Sequence, residues 1–240
     1  MSDRKHTVTA FDDDLLSVQA KITEMGGVVE ELLALALKAL KKRDKKLAQE
    51  VIAMDKQLDA MEIGLEELST QIIALRQPMA QDLRVLLSAI KIASTLERIG
   101  DLAKNIARRA IYLSEAKPVK ISNSILQMGK ATRQQLSRIL DAHAQKDATL
   151  AVEIWNSDVE IDEMYTAIFR EVVTYMMDDS RMIGLGSQLL FVAKNLERIG
   201  DHTTHISEMI YYVVEGEPLG DDRPKGEPIS LGFATISEED

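Results

Sequence analysis

From Leu15 onward the apolar residues fall at Leu15, Val18, Ile22, Met25, Val29, Leu32 and Ala36, alternately three and four positions apart. This spacing draws one stripe along a helix. It predicts a first helix ending near Lys41-Lys42-Arg43, where positive charge suits the exposed carbonyls of a helix terminus. Residues 1–10 carry no pattern and read as frayed. Gly26-Gly27 interrupts the stripe at about 1 kcal/mol per glycine relative to alanine, which predicts a kink or a close helix contact there. Asp44 is placed to cap a second helix. Its stripe runs Leu47, Val51, Met54, Leu58, Met61, Leu65, Leu68, Ile72 and Leu75 in strict four-three alternation. Pro78 stops that helix and suits the first turn of the next, a third helix from about Ala80 to Leu113. Lys117-Pro118 reads as a linker.

The chain then repeats itself. The pentapeptide Glu97-Arg98-Ile99-Gly100-Asp101 returns as Glu197-Arg198-Ile199-Gly200-Asp201, and its flanks return with it: Ala93 as Ala193, Leu96 as Leu196, Ile106 as Ile206, Tyr112 as Tyr212. Further upstream the register is 103 rather than 100 residues, with Met25-Gly26 matching Met128-Gly129, Asp44 matching Asp147, Asp55 matching Asp158 and Asp59 matching Asp162. A three-residue deletion between the second and third helices of the repeat explains the change, because connections tolerate length differences that packed seams do not. Three more helices are therefore predicted at about 122–145, 147–177 and 181–214. The architecture expected is all-α, with two tandem antiparallel three-helix bundles at 11–116 and 119–216 built from six long helices. An acidic disordered tail is expected over 217–240, where seven acidic residues face two basic ones.

Composition agrees with aliphatic helix seams: 45% of residues are hydrophobic and only 4% aromatic. With no cysteine, neither a disulfide framework nor a thiolate ligand or nucleophile is available. The net charge of −10 argues against general nucleic-acid or anionic-lipid binding and points to proteins or cations as partners. No apolar stretch approaches the roughly 20 residues of a membrane span, so a cytoplasmic protein is expected.

Residues four apart share a helix face. Glu97 and Asp101 form such a pair, as do Asp55 and Asp59 on the preceding helix, and Glu197 with Asp201 and Asp158 with Asp162 repeat the arrangement. Relative to the apolar stripe each acid of the first half lies one position further on, which predicts carboxylates that edge the core without entering it. Neighbouring helices then bring four carboxylates to one groove, twice over, and a bound cation is the simplest relief of their repulsion. Oxygen ligands alone suit magnesium, manganese, calcium or iron. His205, standing where the first half has Asn105, extends the second stripe by a turn and would favour iron, manganese or zinc. Set against this, helical acid pairs are commonly solvated faces, and Arg98–Asp101 and Arg198–Asp201 have the spacing of surface ion pairs. Gly100 and Gly200 read as close helix crossings. A Walker glycine loop, a nucleophile elbow, a His-Glu-x-x-His helix and the Glu-x-x-His element of di-iron enzymes are all missing, so no turnover is expected.

These motifs, with Pro78-x-Ala80-x-Asp82-Leu83-Arg84 and the run Gly200-Asp201-His202 leading into Ile206-Ser207-Glu208, resemble the PhoU family of bacterial phosphate-signalling proteins over nearly the whole chain. The resemblance implies two similar bundles, no enzymatic activity and metal at the acidic motifs of at least some members. By position Asp55, Asp59, Glu97 and Asp101 would hold one metal cluster and Asp158, Asp162, Glu197 and Asp201 the other, with manganese, magnesium, iron or zinc as candidates. It also implies a negative regulator of the phosphate-starvation response, a homodimer acting between the ATPase subunit of the high-affinity phosphate ABC transporter and a membrane sensor histidine kinase. Such a protein sits in the cytoplasm, at the inner membrane only through its partners. Two other readings remain open: a metal-dependent carboxylate enzyme, and a plain helical scaffold without metal.

Overall fold

The computed structural model describes the backbone of residues 2–116 and 122–220 and the side chains of 11–116 and 123–220. Helices make up the fold: α1 (Ser2–Lys42), α2 (Lys45–Arg76), α3 (Gln81–Leu113), α4 (Ser122–Gln145), α5 (Ala148–Ser157), α6 (Val159–Asp178) and α7 (Ile183–Glu215), with one 3-10 turn at Ser180–Met182 before the last. No strand occurs among the described residues. The all-α fold of two tandem three-helix bundles is as the sequence predicts. Asp44 and Asp147 cap α2 and α5 as expected, accepting from the backbone N–H of Leu47 at 3.1 Å and of Leu150 at 3.0 Å.

Four expectations change. Residues 1–10 are not frayed: α1 runs back to Ser2, because adding a turn to a formed helix costs far less than nucleating one. Arg43 does not serve its own helix end. With φ at 59° it leaves α1 and donates to Leu113 O at 2.7 Å and to Ala116 O, satisfying carbonyls at the end of α3 instead. Pro78 ends α2 but stands outside α3, which starts at Gln81. The fifth predicted helix is two segments, α5 and α6, interrupted at Asp158, a position taken up below. The linker at Lys117-Pro118 and tail residues 221–240 lie outside the described residues, while Glu217 to Gly220 carry no regular structure.

In the first bundle α1, α2 and α3 pack on one another; in the second α7 packs on α4, α5 and α6. The bundles meet through α3 against α7 and α1 against α4. Both pairs run antiparallel, and each contact has a counterpart in the repeat. A Cβ on Gly26 would lie 2.7 Å from Leu140 Cδ2, and one on Gly129 would strike Leu37, residue for residue the same contact seen from the other bundle. On α3 and α7, Arg84 lies over the ring of Tyr212, while Gly184 faces the hydroxyl of Tyr112. The chain is thus an internal dimer about an approximate two-fold axis, its halves interlocked by a glycine and a leucine from each. Val29, Leu33, Ala36, Met128, Leu136 and Ile139, all fully buried, continue the core between and within the bundles.

The two glycines of α1 separate cleanly. Gly26 is the close contact; Gly27 has nothing within 4 Å of where a Cβ would stand. Gly27→Ala is therefore expected to raise stability by about 1 kcal/mol, and Gly26→Ile to lower it by about 1–3 kcal/mol through overpacking against Leu140. Urea denaturation midpoints of the two variants check both signs.

Candidate functional site

Helix α2 buries Ala48, Val51, Asp55, Leu58, Leu65, Ser69 and Ile72, whereas Met54, Met61 and Leu68 are half-buried and Leu75 is 71% exposed. The buried face is thus rotated by a position from the stripe read off the sequence, because a 3.6-residue helix drifts off a seven-residue apolar repeat over a long span. Asp55 consequently does not edge the core; it enters it, 4% exposed. Asp158, its counterpart, is 1% exposed. Asp59 remains exposed, and Glu97, Asp101, Asp162, Glu197 and Asp201 are half-buried.

In the first bundle the acids of α2 and α3 face one another, and a cation is already present. Lys104, one turn beyond Asp101 on α3, donates to Asp55 Oδ2 at 2.5 Å and to Asp101. Burial opposes its charge, but the bonds to Asp101 and Asp55 hold its pKa above the ordinary lysine value. Glu97 receives no such help. Burial first, then the charges of Asp101, Glu62, Asp59 and Asp55, push its carboxyl from 4.5 up to about 6. Glu62, one turn beyond Asp59 on α2, therefore belongs to the same acidic groove.

The second site answers the same placement differently. Asp158 accepts from Gln135 Nε2 of α4 at 2.9 Å, and a Cβ on Gly200 would lie 2.6 Å from its Oδ1. In the first bundle the same crossing is filled by hydrocarbon: Gly100 accepts Leu58, backed by Leu32. Both glycines are the close crossings expected of them, one seating a leucine and the other a carboxylate. The interruption between α5 and α6 falls where that buried carboxylate must be accommodated. The lysine does not recur, since Thr204 stands at the position of Lys104 and bonds the carbonyl of Asp201 at 2.7 Å. Nor does Glu62, whose place is taken by Tyr165. The cation here is Lys194 of α7, over the Tyr165 ring at 5.2 Å and bonded to Glu197 Oε1 at 2.5 Å. Burial raises the Glu197 carboxyl above its ordinary value despite Lys194, with Asp201 and Asp162 adding to the rise. Its other oxygen, Oε2, is buried without a hydrogen-bond partner among the described residues. His205 is exposed and turned to Glu208, Nδ1 to Oε2 at 3.1 Å; Glu208 also accepts from the indole of Trp155.

Asp55, Asp59 and Asp101 thus act on Glu97, and Asp162 and Asp201 act on Glu197, while Asp158 turns to Gln135 and His205 to Glu208; Glu62, Lys104, Gln135, Tyr165 and Lys194 join these surroundings. Lys104 was visible in the sequence as the residue three beyond Asp101, and Glu62 as the residue three beyond Asp59. Gln135, on another helix, left no such signal. As they stand, no three His, Asp or Glu side chains among the described residues form a metal-holding group. The hard-oxygen donor set and the orphaned Glu197 Oε2 nevertheless suit a cation in the second site, whereas Lys104 supplies one in the first.

The family model described as "PhoU domain" matches residues 22–110 and 125–210, one stretch in each bundle. The chain belongs to the PhoU family. It is 47% identical to the phosphate-specific transport system accessory protein PhoU homolog of Caulobacter vibrioides, over 94% of this chain and 99% of that one. Among solved structures, the crystal structure of PhoU from Pseudomonas aeruginosa superposes with a TM-score of 0.84 at 38% identity, covering 86% of this chain and all of the other. That of the phosphate transport system regulatory protein PhoU from Streptococcus pneumoniae gives 0.82 at 30% identity, over 88% and 99%. No helix of this PhoU-family chain is long and apolar enough to cross a membrane among the described residues.

Two expectations follow for the metal-free protein. An acid whose pKa is raised by folding stabilises the native state fully only below its unfolded value, near 4.5 for Glu97, and that contribution is lost as the pH rises through about 6. Glu97→Gln should therefore be more stable than wild type at pH 7, with the advantage gone at pH 4, as read from denaturant midpoints at both values. Lys104→Met should lose about 1–3 kcal/mol by leaving buried Asp55 without its donor, and Asp55→Asn in the same chain should recover part of it.

Proposed function

We propose that this chain is a non-enzymatic negative regulator of the phosphate-starvation response. It acts in the cytoplasm, as a homodimer, between the ATPase subunit of the high-affinity phosphate ABC transporter and a membrane sensor histidine kinase. The observation that carries the reading is the family membership across both bundles, with relatives named as accessory and regulatory proteins of phosphate transport. Among the described residues the two acidic grooves set their carboxylates against one another and against Lys104, Gln135 and Lys194.

Metal binding belongs to the same proposal. Asp158, Asp162, Glu197 and Asp201 would hold the ion in the second bundle, with His205 within a turn if it leaves Glu208; Asp55, Asp59, Glu97 and Asp101 would hold one in the first only after Lys104 withdraws. A bound divalent ion would supply a fixed positive charge between carboxylates that otherwise repel, stiffening the pairing of α2 with α3 and of α6 with α7. Manganese, magnesium, iron and zinc remain the candidates, with oxygen donors favouring the harder ions. The scaffold reading has one observation in its favour, the neutralisation of Asp55 and Asp101 by Lys104 in the first bundle.

The deciding experiment depletes the protein from its host in phosphate-rich medium and follows a phosphate-regulated promoter. The promoter is expected to switch on, and to be silenced again by the wild-type chain but not by one carrying alanine at Glu97, Asp101, Glu197 and Asp201. A promoter that stays silent on depletion would overturn the regulatory role. Silencing by the alanine chain would leave regulation intact and remove the acids from it.

A further inference from the structure

A groove of about 410 Å³ opens where the two bundles meet, between the early turns of α1 and α3 and the ends of α4 and α7. Leu15, Leu16, Val85, Ile210, Val213 and Val214 give it an apolar lining, and Leu16 is 61% exposed there. His143, also in the wall, has its pKa pushed down to about 4 by burial and by Lys146, so its imidazole is neutral near pH 7. The charges at the groove are Asp12, Asp82 and Lys146. Apolar surface of this kind, open to water, calls for a cover.

The chain's own continuation emerges beside it. Gly216 ends α7 with φ at 85°, and a Cβ there would stand 3.2 Å from Arg84 Nη2. Arg84 adjoins Val85 and lies two residues from Asp82, both in the groove wall. The chain therefore turns off α7 at the groove's edge. Leu219, three residues beyond Gly216, is half-buried. Arg84 Nε is buried with no acceptor among the described residues, a donor left over beside the exit, which Asp221 and Asp222 follow in the sequence.

The sequence after Gly220 has one apolar portion. Residues 228–237, Pro-Ile-Ser-Leu-Gly-Phe-Ala-Thr-Ile-Ser, form an uncharged run between Glu227 and Glu238. Ile229, Leu231 and Phe233 alternate, so an extended chain presents all three on one side. The nine residues from Gly220 to Ile229 span up to roughly 30 Å when extended, ample for a groove that starts at the exit. In sequence order Arg223 and Lys225 come soon after the exit and Glu238, Glu239 and Asp240 come last, so a docked tail would bring opposite charges to Asp82 and to Lys146 in the groove wall.

We propose that Ile229–Ile236 docks into this groove of its own chain. The segment is an intramolecular ligand that covers the apolar seam between the bundles. Because the groove draws on α1 and α3 from one bundle and α4 and α7 from the other, an occupied groove also ties the two together, and any protein that docks there must displace the tail.

The absence of cysteine makes the test direct. In the full chain, Leu16→Cys should react with a maleimide slowly. It should react roughly tenfold faster when the chain ends at Gly220 or carries Leu231→Asp with Phe233→Asp, as expected when a tether of millimolar effective concentration is lost. Leu16→Cys paired with Phe233→Cys should form a disulfide within one chain under mild oxidation, faster than Ile63→Cys paired with Phe233→Cys, since Ile63 is equally open on the outer face of α2. Equal labelling rates in the full and shortened chains would overturn the proposal. So would disulfides formed only between two chains, which would assign the groove to a second copy.

Discussion

The antiparallel apposition of α3 on α7, locked on one flank by Gly26 against Leu140 and Gly129 against Leu37, is the constraint on which the remaining structure rests. Only a residue without a side chain admits a leucine so close to a helix backbone, and the repeat supplies that residue on both sides of the axis. The consequence reaches beyond stability. Once α3 and α7 are fixed against each other, their opposite faces are committed to α2 and to α5 and α6, and those faces carry the duplicated acids. The acidic grooves are therefore outward results of the internal dimer, placed by packing before any ligand is considered.

Burying part of an acidic stripe against a core has a cost, and the two halves meet it by different chemistry. In the first, Lys104 answers Asp55 and Asp101, and the helix crossing beside them is closed by Leu58 in the space left by Gly100. In the second, Gln135 answers Asp158, which itself occupies the space left by Gly200, and Lys194 answers only one oxygen of Glu197. A neutral amide bond compensates a carboxylate less than an ammonium does. The second site also keeps a buried acceptor, Glu197 Oε2, with no hydrogen-bond partner among the described residues. Duplication preserved the acids while divergence at Lys104/Thr204 and Glu62/Tyr165 changed what they face.

Much of this was readable from residue spacing. The helices, their caps at Asp44 and Asp147 and the division into two bundles follow from apolar period and the internal repeat. The role of Gly26 as a contact and Gly27 as a free position does not, because a pair of adjacent glycines is symmetrical in sequence and only the partner helix distinguishes them. The burial of Asp55 was hidden by a small rotation of α2, since Val51, Leu58, Leu65 and Ile72 fit a stripe centred on either side of them. Asp158 was hidden further, because its partner Gln135 comes from α4, where a glutamine stands in the place of Leu32. Side-chain contacts between one helix and another were the part that local pattern could not supply.

The measurement that bears most directly on this account is a count of manganese ions bound per chain, in the chelator-stripped wild type and in Lys104→Thr, which gives the first site the residue found in the second. One ion per wild-type chain, abolished by Glu197→Ala, and a second ion gained by Lys104→Thr would be the result predicted. Equal occupancy of both sites in the wild type, or no uptake by either chain, would contradict the claim that an internal lysine and an incoming cation are alternative answers to the same buried acids.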